Sequence, residues 1–399
     1  MVWLLVLLCS RHTGCGMRDA GCAGAQTRIA HPASRSSLDS IFDPIVETGI
    51  RGGVYPGAAL VVGRHDTILF AKGYGHLTWN SGSAAVTVDS TLWDLASLTK
   101  VVATTPAMML LVEQGKVALD SPVVHYLPEF NSPGTAAITV RHLLTHTSGL
   151  RATLPLREAA DSAAALLMVL TTVPIAPPGK QMVYSDLNAI LLGEIIRRVS
   201  GSPLDVFATR AIYTPLGLEE DLLFRPPRRL EKRAAPTGLW RGHPIAGVVN
   251  DPSAGMLGGV SGNAGLFATA RGVARFAQFM LNDGALPGHS RLVKHETVQL
   301  FTQIAVPARR GVSARTLGWE ALPTGEETSS AGTLFGPRSY GHTGWTGTSL
   351  WIDPDRDVFV LLLTNRAFDP RTGKSFTKLK EVRGRAADAA ARAIDGSAH

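Results

Sequence analysis

The sequence predicts an α+β fold in which helices flank an antiparallel sheet and an all-helical lobe is inserted between its strands. Two β-rich hairpin patterns, at 57–75 and 341–366, lie near opposite ends of the chain, and the residues between them are mostly helix-periodic. Strands from both ends should therefore pair across the insertion. With 45% hydrophobic and 18% charged residues among 399, the chain has the apolar side chains for a large buried core.

The individual elements follow from local patterns. The first hairpin consists of two apolar runs around the polar stretch GRHD, 63–66, and the second has DPDRD, 353–357, as its turn. Between them, apolar residues at helical spacing are separated by Pro and Gly. The predicted helices cover 97–114, 140–149, 161–170, 187–200 and 271–282, with a last helix over 375–394.

These elements divide the chain into a leader or unstructured N-terminal segment and a sheet domain split by the lobe. The predicted boundaries are 1–37 for the leader, 38–92 for the first part of the sheet domain, 93–262 for the helical lobe and 263–399 for the second part with the last helix. Residues 219–262 are predicted to be a long loop-like segment, where binding surfaces often lie.

The N-terminus suggests export to the periplasm or the extracellular space. Its opening, MVWLLVLLCS, has an apolar core of a signal peptide's length that is too short to span a bilayer, although no basic residue precedes it. All three cysteines, at 9, 15 and 22, lie in this region. The remaining chain can hold neither a disulfide nor a Cys-ligated metal, and we expect no cofactor.

The positive charge does not indicate a nucleic-acid partner. The formal net charge of +7 comes mostly from scattered arginines, with local clusters at 225–233 and 374–380. Neither cluster interleaves its charges with a series of aromatic side chains, as single-strand binding would require. Both are predicted to be solvated faces, and no integral membrane span is expected. Oligomeric state is left open.

Ser97 and Lys100, in the stretch DLASLTK, form a Ser-x-x-Lys pattern at the start of a predicted helix. Residues three apart share a helix face, so the lysine can lie beside the hydroxyl and assist its ionisation. The alternative is an N-cap serine with a solvated lysine, and the spacing alone does not decide between them. Ser375 and Lys378 repeat the pattern, and we expect that pair to be a solvated face.

Two further clusters carry polar groups. His342, Thr343 and Gly344 form the sequence HTG on a predicted late strand, and the same letters occur at 12–14. The stretch YSDLN, 184–188, precedes an apolar helix and could transfer protons or could cap that helix through Ser185 or Asp186. Their order along the chain, with Ser-x-x-Lys first, favours chemistry over capping alone.

Together these segments resemble the serine β-lactamase and penicillin-binding-protein superfamily, most closely its class C-like serine hydrolases. The resemblance covers about 38–395 and includes WDLASLTKVVAT, ITVRHLLTHTSGL, PPGKQMVYSDLNAILLGEIIRRVSG, GVSGNAGLFATA and GHTGWTGTSLWIDPDRD. It implies a β-lactamase/transpeptidase-like fold and hydrolysis of small esters, amides or peptides through an acyl-enzyme. No metal or organic cofactor is implied.

The resemblance also assigns roles to residues. It implies that Ser97 is the nucleophile, Lys100 its proton partner and Tyr184 the second acid/base group, with Lys100 favouring the ionised phenol. The backbone N–H groups of Ser97 and Trp345 would form the oxyanion hole. The strand with His342, Thr343 and Gly344, together with Asp186, would contact the substrate.

Two departures from the family pattern bear on the substrate. Many relatives have lysine where this chain has His342, and a neutral histidine should capture a substrate carboxylate more weakly. Asp186 stands where relatives often have asparagine, and should form an ion pair that keeps Lys100 charged, leaving Tyr184 as the base. Both changes favour ester or small-peptide hydrolysis over β-lactam turnover, and similar kcat/KM values for nitrocefin and short nitrophenyl esters would count against this expectation.

Other hypotheses remain beside this one. A D-amino-acid peptidase or carboxypeptidase is the enzymatic alternative, and an acylated sensor that does not turn over is the non-enzymatic one. His142 and His146 have the spacing of a metal pair, but Leu143 stands where a metalloprotease needs its glutamate, so a packed helix end is favoured.

Overall fold

The protein is represented by a computed structural model that describes residues 28–29, 32–286, 288, 290–308, 314–322 and 329–396, with side chains from residue 37 onward. The apolar opening, the three cysteines and the HTG copy at 12–14 lie outside these residues. The described strands are β1 Arg28–Ile29, β2 Gly57–Gly63, β3 Thr67–Gly75, β4 Trp93–Asp94, β5 Leu222–Phe224, β6 Gly238–Trp240, β7 His243–Ile245, β8 Leu266–Ala268, β9 Glu320–Ala321, β10 Tyr340–Thr343, β11 Ser349–Asp353 and β12 Val358–Thr364.

Ten α-helices are described, joined by short 3₁₀ and π turns. They are α1 Pro32–Arg51, α2 Thr105–Glu113, α3 Val140–Leu144, α4 Ser162–Leu170, α5 Asp186–Ser200, α6 Leu204–Ala208, α7 Pro252–Met256, α8 Ala270–Leu281, α9 His295–Thr302 and α10 Ser375–Asp395. No helix within the described ranges has both the length and the apolarity needed to cross a bilayer.

The main sheet joins the two ends of the chain, as the sequence predicts. Its order is β1-β3-β2-β12-β11-β10-β9, and every described pairing is antiparallel except that of β1 with β3. Strand β2 from the first hairpin pairs with β12 from the second, with Leu60 opposite Leu362. This pairing closes the sheet across the inserted lobe, so the predicted α+β architecture is confirmed.

Helices cover both faces of this sheet because its central strands alternate between two apolar cores. Leu60 and Leu362 point to a core shared with α1 and α10. Val61 and Leu361 point to the opposite core, which includes α8 and the helical lobe. The central strands β2 and β12 are buried along their whole length.

The structure differs from the predicted boundaries in two places. Strand β1 and the start of α1 lie within the segment assigned to the leader. The predicted lobe is mainly helical but also contains short strands. Strands β4 and β5 both pair with β8, and β6 forms a hairpin with β7. The segment 219–262 therefore has secondary structure where a loop was expected.

Candidate active site

Ser97 lies at a strained turn between β4 and the first long helix of the lobe. Ala96 before it has a φ of +47°, a left-handed conformation that costs a non-glycine residue free energy and is most often found at functional sites. A 3₁₀ turn, Ala96–Leu98, follows, and side chains three apart eclipse one another in a 3₁₀ turn. Lys100 begins the π turn Lys100–Thr104 that comes next, and its Nζ lies 3.0 Å from Ser97 Oγ.

The Lys100 ammonium donates hydrogen bonds to three separate segments of the chain. Besides Ser97 Oγ, it donates to Asp186 Oδ1 at 2.7 Å and to the carbonyl oxygen of Asn263 at 3.0 Å. Burial alone would lower the pKa of Lys100, but the Tyr184 and Asp186 side chains outweigh it, and the pKa is raised above the usual value. Lys100 is therefore a charged hydrogen-bond donor at neutral pH.

Asp186 and Ser185 sit at the start of α5, where the alternative interpretation was helix capping. Neither caps the helix: Ser185 makes no side-chain cap bond and instead donates its hydroxyl to the carbonyl oxygen of Arg151 at 2.7 Å. Asp186 is the first residue of α5 and is turned to Lys100. The capping interpretation is wrong for these two residues because each side chain has a partner in another segment.

Tyr184 lies between two cations and two histidines. Lys100 Nζ is 5.1 Å and Arg315 Cζ is 5.6 Å from the centre of its ring. The rings of His146 and His342 have their centroids 4.7 Å and 5.8 Å from that of Tyr184. Two cationic side chains therefore lie beside the Tyr184 ring.

Both histidines beside Tyr184 are neutral. Burial, then the positive charges of Arg315 and Lys100, holds the pKa of His146 and of His342 well below its usual value. His146 Nδ1 accepts from the backbone N–H of Ser185 at 3.1 Å and faces Asn188 Nδ2 at 3.2 Å.

The other histidine of the rejected metal pair has a different environment. His142 Nδ1 lies 3.1 Å from the backbone nitrogen of Thr139, and the two residues form a reciprocal cap at the start of α3. His142 and His146 therefore have separate structural partners, in agreement with the packed helix end that the sequence favoured.

The strand that carries HTG is fixed against the Ser97 turn. Thr346 Oγ1 donates to the carbonyl oxygen of Asp94 at 2.7 Å, and Thr348 Oγ1 to that of Leu95 at 3.0 Å. A Cβ on Gly344 would lie 2.6 Å from the Leu95 carbonyl oxygen, so only glycine allows this approach. The close contact brings Gly344 and the following residue beside the Ser97 turn.

The backbone N–H groups of Ser97 and Trp345 donate to no carbonyl oxygen among the described residues. Trp345 is 60% exposed, and its ring stacks on Phe376 with centroids 4.8 Å apart. Its carbonyl oxygen, in the peptide group that follows, accepts from Arg366.

His342, which the sequence analysis expected to contact the substrate, is buried. It is 3% exposed, and its Nδ1 lies 2.8 Å from the carbonyl oxygen of Thr343. Because a carbonyl can only accept, Nδ1 carries the hydrogen and Nε2 is the unprotonated nitrogen. That Nε2 atom is buried and has no hydrogen-bond partner among the described residues.

Arg315 is a site residue that the sequence did not reveal. The backbone of Arg315 forms a β-bridge with Glu320 of β9, and Glu320 pairs with Gly341 of β10. These two pairings at the edge of the sheet place Arg315 near Tyr184. It is 5% exposed, and in the described part of the chain its Nε and Nη1 atoms have no hydrogen-bond partner. Buried guanidinium nitrogens without partners are costly, which makes Arg315 a candidate for binding an anion.

The second Ser-x-x-Lys pattern does not form a pair. Ser375 Oγ lies 3.5 Å from Arg366 Nη1, whereas Lys378 Nζ donates to the carbonyl oxygen of Gly52 at 3.2 Å. The prediction of a solvated face is wrong for Ser375, which is 6% exposed because α10 packs on the sheet.

The fold and these contacts define a class of protein: a serine hydrolase whose lobe meets the edge of an antiparallel sheet at a Ser-x-x-Lys pair. The family model described as Beta-lactamase matches residues 38–381, and the chain belongs to that family. It is a β-lactamase-related hydrolase, as the sequence analysis expected.

Named relatives agree with this assignment. A putative D-alanyl-D-alanine carboxypeptidase of Escherichia coli K12 is 33% identical over 352 residues, covering 79% of this chain and 80% of the relative. Two solved structures share the fold at 22% identity and a TM-score of 0.70: a hydrolase with promiscuous acyltransferase activity, and a penicillin-binding protein homologue from Caulobacter crescentus. The alignments cover 88% of this chain and 99% and 97% of those chains.

Proposed function

We propose that the protein is a peptidase or esterase that forms an acyl-enzyme on Ser97 and prefers short D-peptide-like substrates with a free carboxylate beside the scissile bond. The observation that carries the proposal is the position of the Lys100 ammonium, which bonds Ser97 Oγ, Asp186 and the Asn263 carbonyl at once. The relative named D-alanyl-D-alanine carboxypeptidase supports the substrate class.

Lys100 cannot be the base in this arrangement. Its raised pKa keeps it charged, and it donates to Ser97 Oγ, so the hydroxyl hydrogen of Ser97 must point to another acceptor. Tyr184 is the titratable neighbour on which two cations converge. We assign Tyr184 as the group that takes the proton from Ser97, with Lys100 stabilising both the phenolate and the developing alkoxide.

The reaction then proceeds in two halves. Ser97 Oγ bonds to the carbonyl carbon while its proton moves to Tyr184 Oη, and Tyr184 returns that proton to the amine or alkoxide as the scissile bond breaks. Water then attacks the carbonyl carbon of the ester while Tyr184 Oη takes a proton from it, and Tyr184 passes that proton to Ser97 Oγ as the ester bond breaks and the acid leaves. The free N–H groups of Ser97 and Trp345 would hold the oxyanion in both halves.

Arg315 changes the expectation about carboxylate capture. That expectation rested on neutral His342 alone, whereas Arg315 places a permanent cation beside the Tyr184 ring, with two guanidinium nitrogens that lack a partner among the described residues. A guanidinium binds a carboxylate through paired hydrogen bonds. A neutral ester is the second candidate substrate, because the groups around Ser97 do not themselves require a carboxylate.

Replacing Arg315 with methionine tests the substrate class. For a dipeptide ending in a free D-alanine carboxylate, we expect kcat/KM to fall about 10- to 100-fold, the value of one charge-assisted hydrogen bond. For the amide-capped peptide and a nitrophenyl ester it should change less than about threefold. The melting temperature should stay the same or rise, because the variant removes buried unpaired donors. Steady-state kinetics and thermal unfolding provide both readouts.

The matched control is Arg338→Met, which removes an exposed arginine paired with Asp355. It should leave all three substrates unaffected. An equal loss on charged and neutral substrates in Arg315→Met, or a large fall in its melting temperature, would show that Arg315 supports the fold and does not bind the carboxylate.

We also propose that the protein is exported. The support is the apolar opening of the sequence, together with a substrate class that fits cell-wall peptides outside the cytoplasm. Protease accessibility in intact and osmotically opened cells would test this proposal directly.

A further inference from the structure

Asp94 lies at the junction of three segments that meet at the Ser97 turn. It ends β4 and is 1% exposed. Its Oδ1 accepts from the backbone N–H of Ala96 at 2.8 Å, and its Oδ2 accepts from the backbone N–H of Asn250 at 2.6 Å. Its carbonyl oxygen accepts from the side chain of Thr346, the residue after Trp345. One carboxylate thus holds the strained residue before the nucleophile and ties it to a distant loop.

The next residue of that loop, Asp251, reaches the other member of the catalytic pair. Asp251 Oδ1 accepts from Asn263 Nδ2 at 3.2 Å, and Asn263 Oδ1 accepts from Ser261 Oγ at 2.7 Å. These two bonds fix Asn263, which is 1% exposed and whose carbonyl oxygen receives the Lys100 ammonium. Adjacent residues, Asn250 and Asp251, therefore connect to Ser97 and to Lys100 by separate routes.

We propose that Asp94 and Asp251 are positioning residues that hold Ser97 and Lys100 at their productive separation, Asp94 through the Ala96 N–H and Asp251 through Asn263. The inference rests on the proposed role of Ser97. Neither carboxylate touches the reacting atoms. A displacement of about 1 Å in a reacting group can lower a rate by roughly 100-fold, so loss of either support should reduce kcat more than it changes KM.

The support that Asp94 provides depends on pH. Burial raises the pKa of Asp94 to about 6, with Asp251 adding to the rise and the two N–H donors opposing it. Asp251 is the charged side chain whose field acts on Asp94, and the other contacts of the Asp94 carboxylate are backbone N–H groups. Protonation puts a hydrogen on an oxygen that now accepts an N–H, so the turn should loosen as the pH falls through about 6.

Stability should move in the opposite direction from activity. Because the folded-state pKa of Asp94 lies above its unfolded value, the folded protein binds the extra proton more readily between about pH 4 and 6. The contribution of Asp94 to the free energy of unfolding therefore increases as the pH falls through that window. Loss of activity at acid pH, in protein that remains folded, would identify a positioning effect.

The test compares Asp94→Asn, Asp251→Asn and the double variant. We expect kcat to fall about 30- to 100-fold for Asp94→Asn and about 10-fold for Asp251→Asn, with KM within about threefold of wild type. The acid limb of kcat/KM near pH 6 should be absent from Asp94→Asn, since an amide does not titrate there. The double variant should lose less than the product of the single losses, because both supports act on one pair.

The matched control is Asp353→Asn, at the far end of β11. Asp353 is also buried and also accepts backbone N–H groups, from Gly336 and Asp355. It should keep the wild-type kcat and acid limb. Circular dichroism must show that each variant is folded. If Asp94→Asn does not fold, the kinetics of Asp251→Asn provide the test, because Asp251 is only half-buried.

The inference is overturned if Asp94→Asn and Asp251→Asn both stay within threefold of the wild-type kcat, or if Asp353→Asn loses as much as they do. Ser97→Ala separates this failure from failure of the proposed function. If Ser97→Ala is inactive while the aspartate variants are normal, only the positioning role falls. If Ser97→Ala remains active, the proposed function falls with it.

Discussion

Ser97→Ala should lower kcat/KM by about 10⁴-fold or more for every substrate that the wild type hydrolyses. The variant removes the atom that forms the acyl bond in the proposed reaction, the hydroxyl oxygen 3.0 Å from Lys100 Nζ. Its fold should be unaffected, because the lost hydroxyl contributes about 1 kcal/mol through one hydrogen bond. Kinetics with an ester and a D-peptide, beside a thermal melt, measure both effects.

The control for this prediction is Ser375→Ala, from the second Ser-x-x-Lys pattern. Ser375 contacts Arg366 and not its own lysine, so this variant should keep activity within a few-fold of wild type. Residual activity of Ser97→Ala above about one per cent, in a preparation free of wild-type enzyme, would contradict Ser97 as the nucleophile.

Lys100→Met should be the second most damaging change, with kcat/KM about 10³- to 10⁴-fold lower. The variant removes the charge that stabilises the alkoxide and the phenolate, and it leaves Asp186 without its partner at 2.7 Å. The unpaired carboxylate and the free Asn263 carbonyl should cost about 1–3 kcal/mol of unfolding free energy, a range moderated by the 25% exposure of the Asp186 side chain. Denaturant unfolding and steady-state kinetics give the two values.

The double variant Lys100→Met/Asp186→Asn separates stability from catalysis. It removes the unpaired charge of Asp186, so the unfolding free energy should recover toward wild type while the activity stays low. Lys378→Met serves as the control lysine, since Lys378 bonds only the Gly52 carbonyl in the described structure. Recovery of activity together with stability would mean that Lys100 has a structural role alone.

The sequence could predict the parts of this site that lie within short motifs. Ser97 and Lys100 are three residues apart, and a helical turn is enough to pair them. The two hairpins were predictable because their apolar runs and polar turns are local patterns, and the pairing of β2 with β12 followed from helices lying between them.

Other parts depend on tertiary contacts that leave no local signal. Arg315 is one arginine in a segment without a motif, and only the sheet register through Glu320 and Gly341 brings it to Tyr184. Asn263 acts through its carbonyl oxygen, a group that every residue has. Ser185 resembled a helix cap because serine favours that position, but a tertiary hydrogen bond to Arg151 replaces the cap.

The role of Asp94 could be predicted only in part from the sequence. A carboxylate just before Ser97 was visible in the sequence, but its function depends on the backbone N–H of Asn250, which lies 156 residues away. The positive φ of Ala96, which creates the need for such a support, also becomes visible only in the folded chain.

The measurement that tests the central claim most directly is intact-protein mass spectrometry after treatment with a fluorophosphonate, and separately with a penicillin. The wild type should gain one adduct with the fluorophosphonate, mapping to Ser97 on peptide analysis, and Ser97→Ala should gain none. A penicillin adduct that decays would show turnover, and one that persists would show an acylated binder. Folded wild-type protein that forms no adduct with either reagent, or an adduct that remains in Ser97→Ala, would contradict the account.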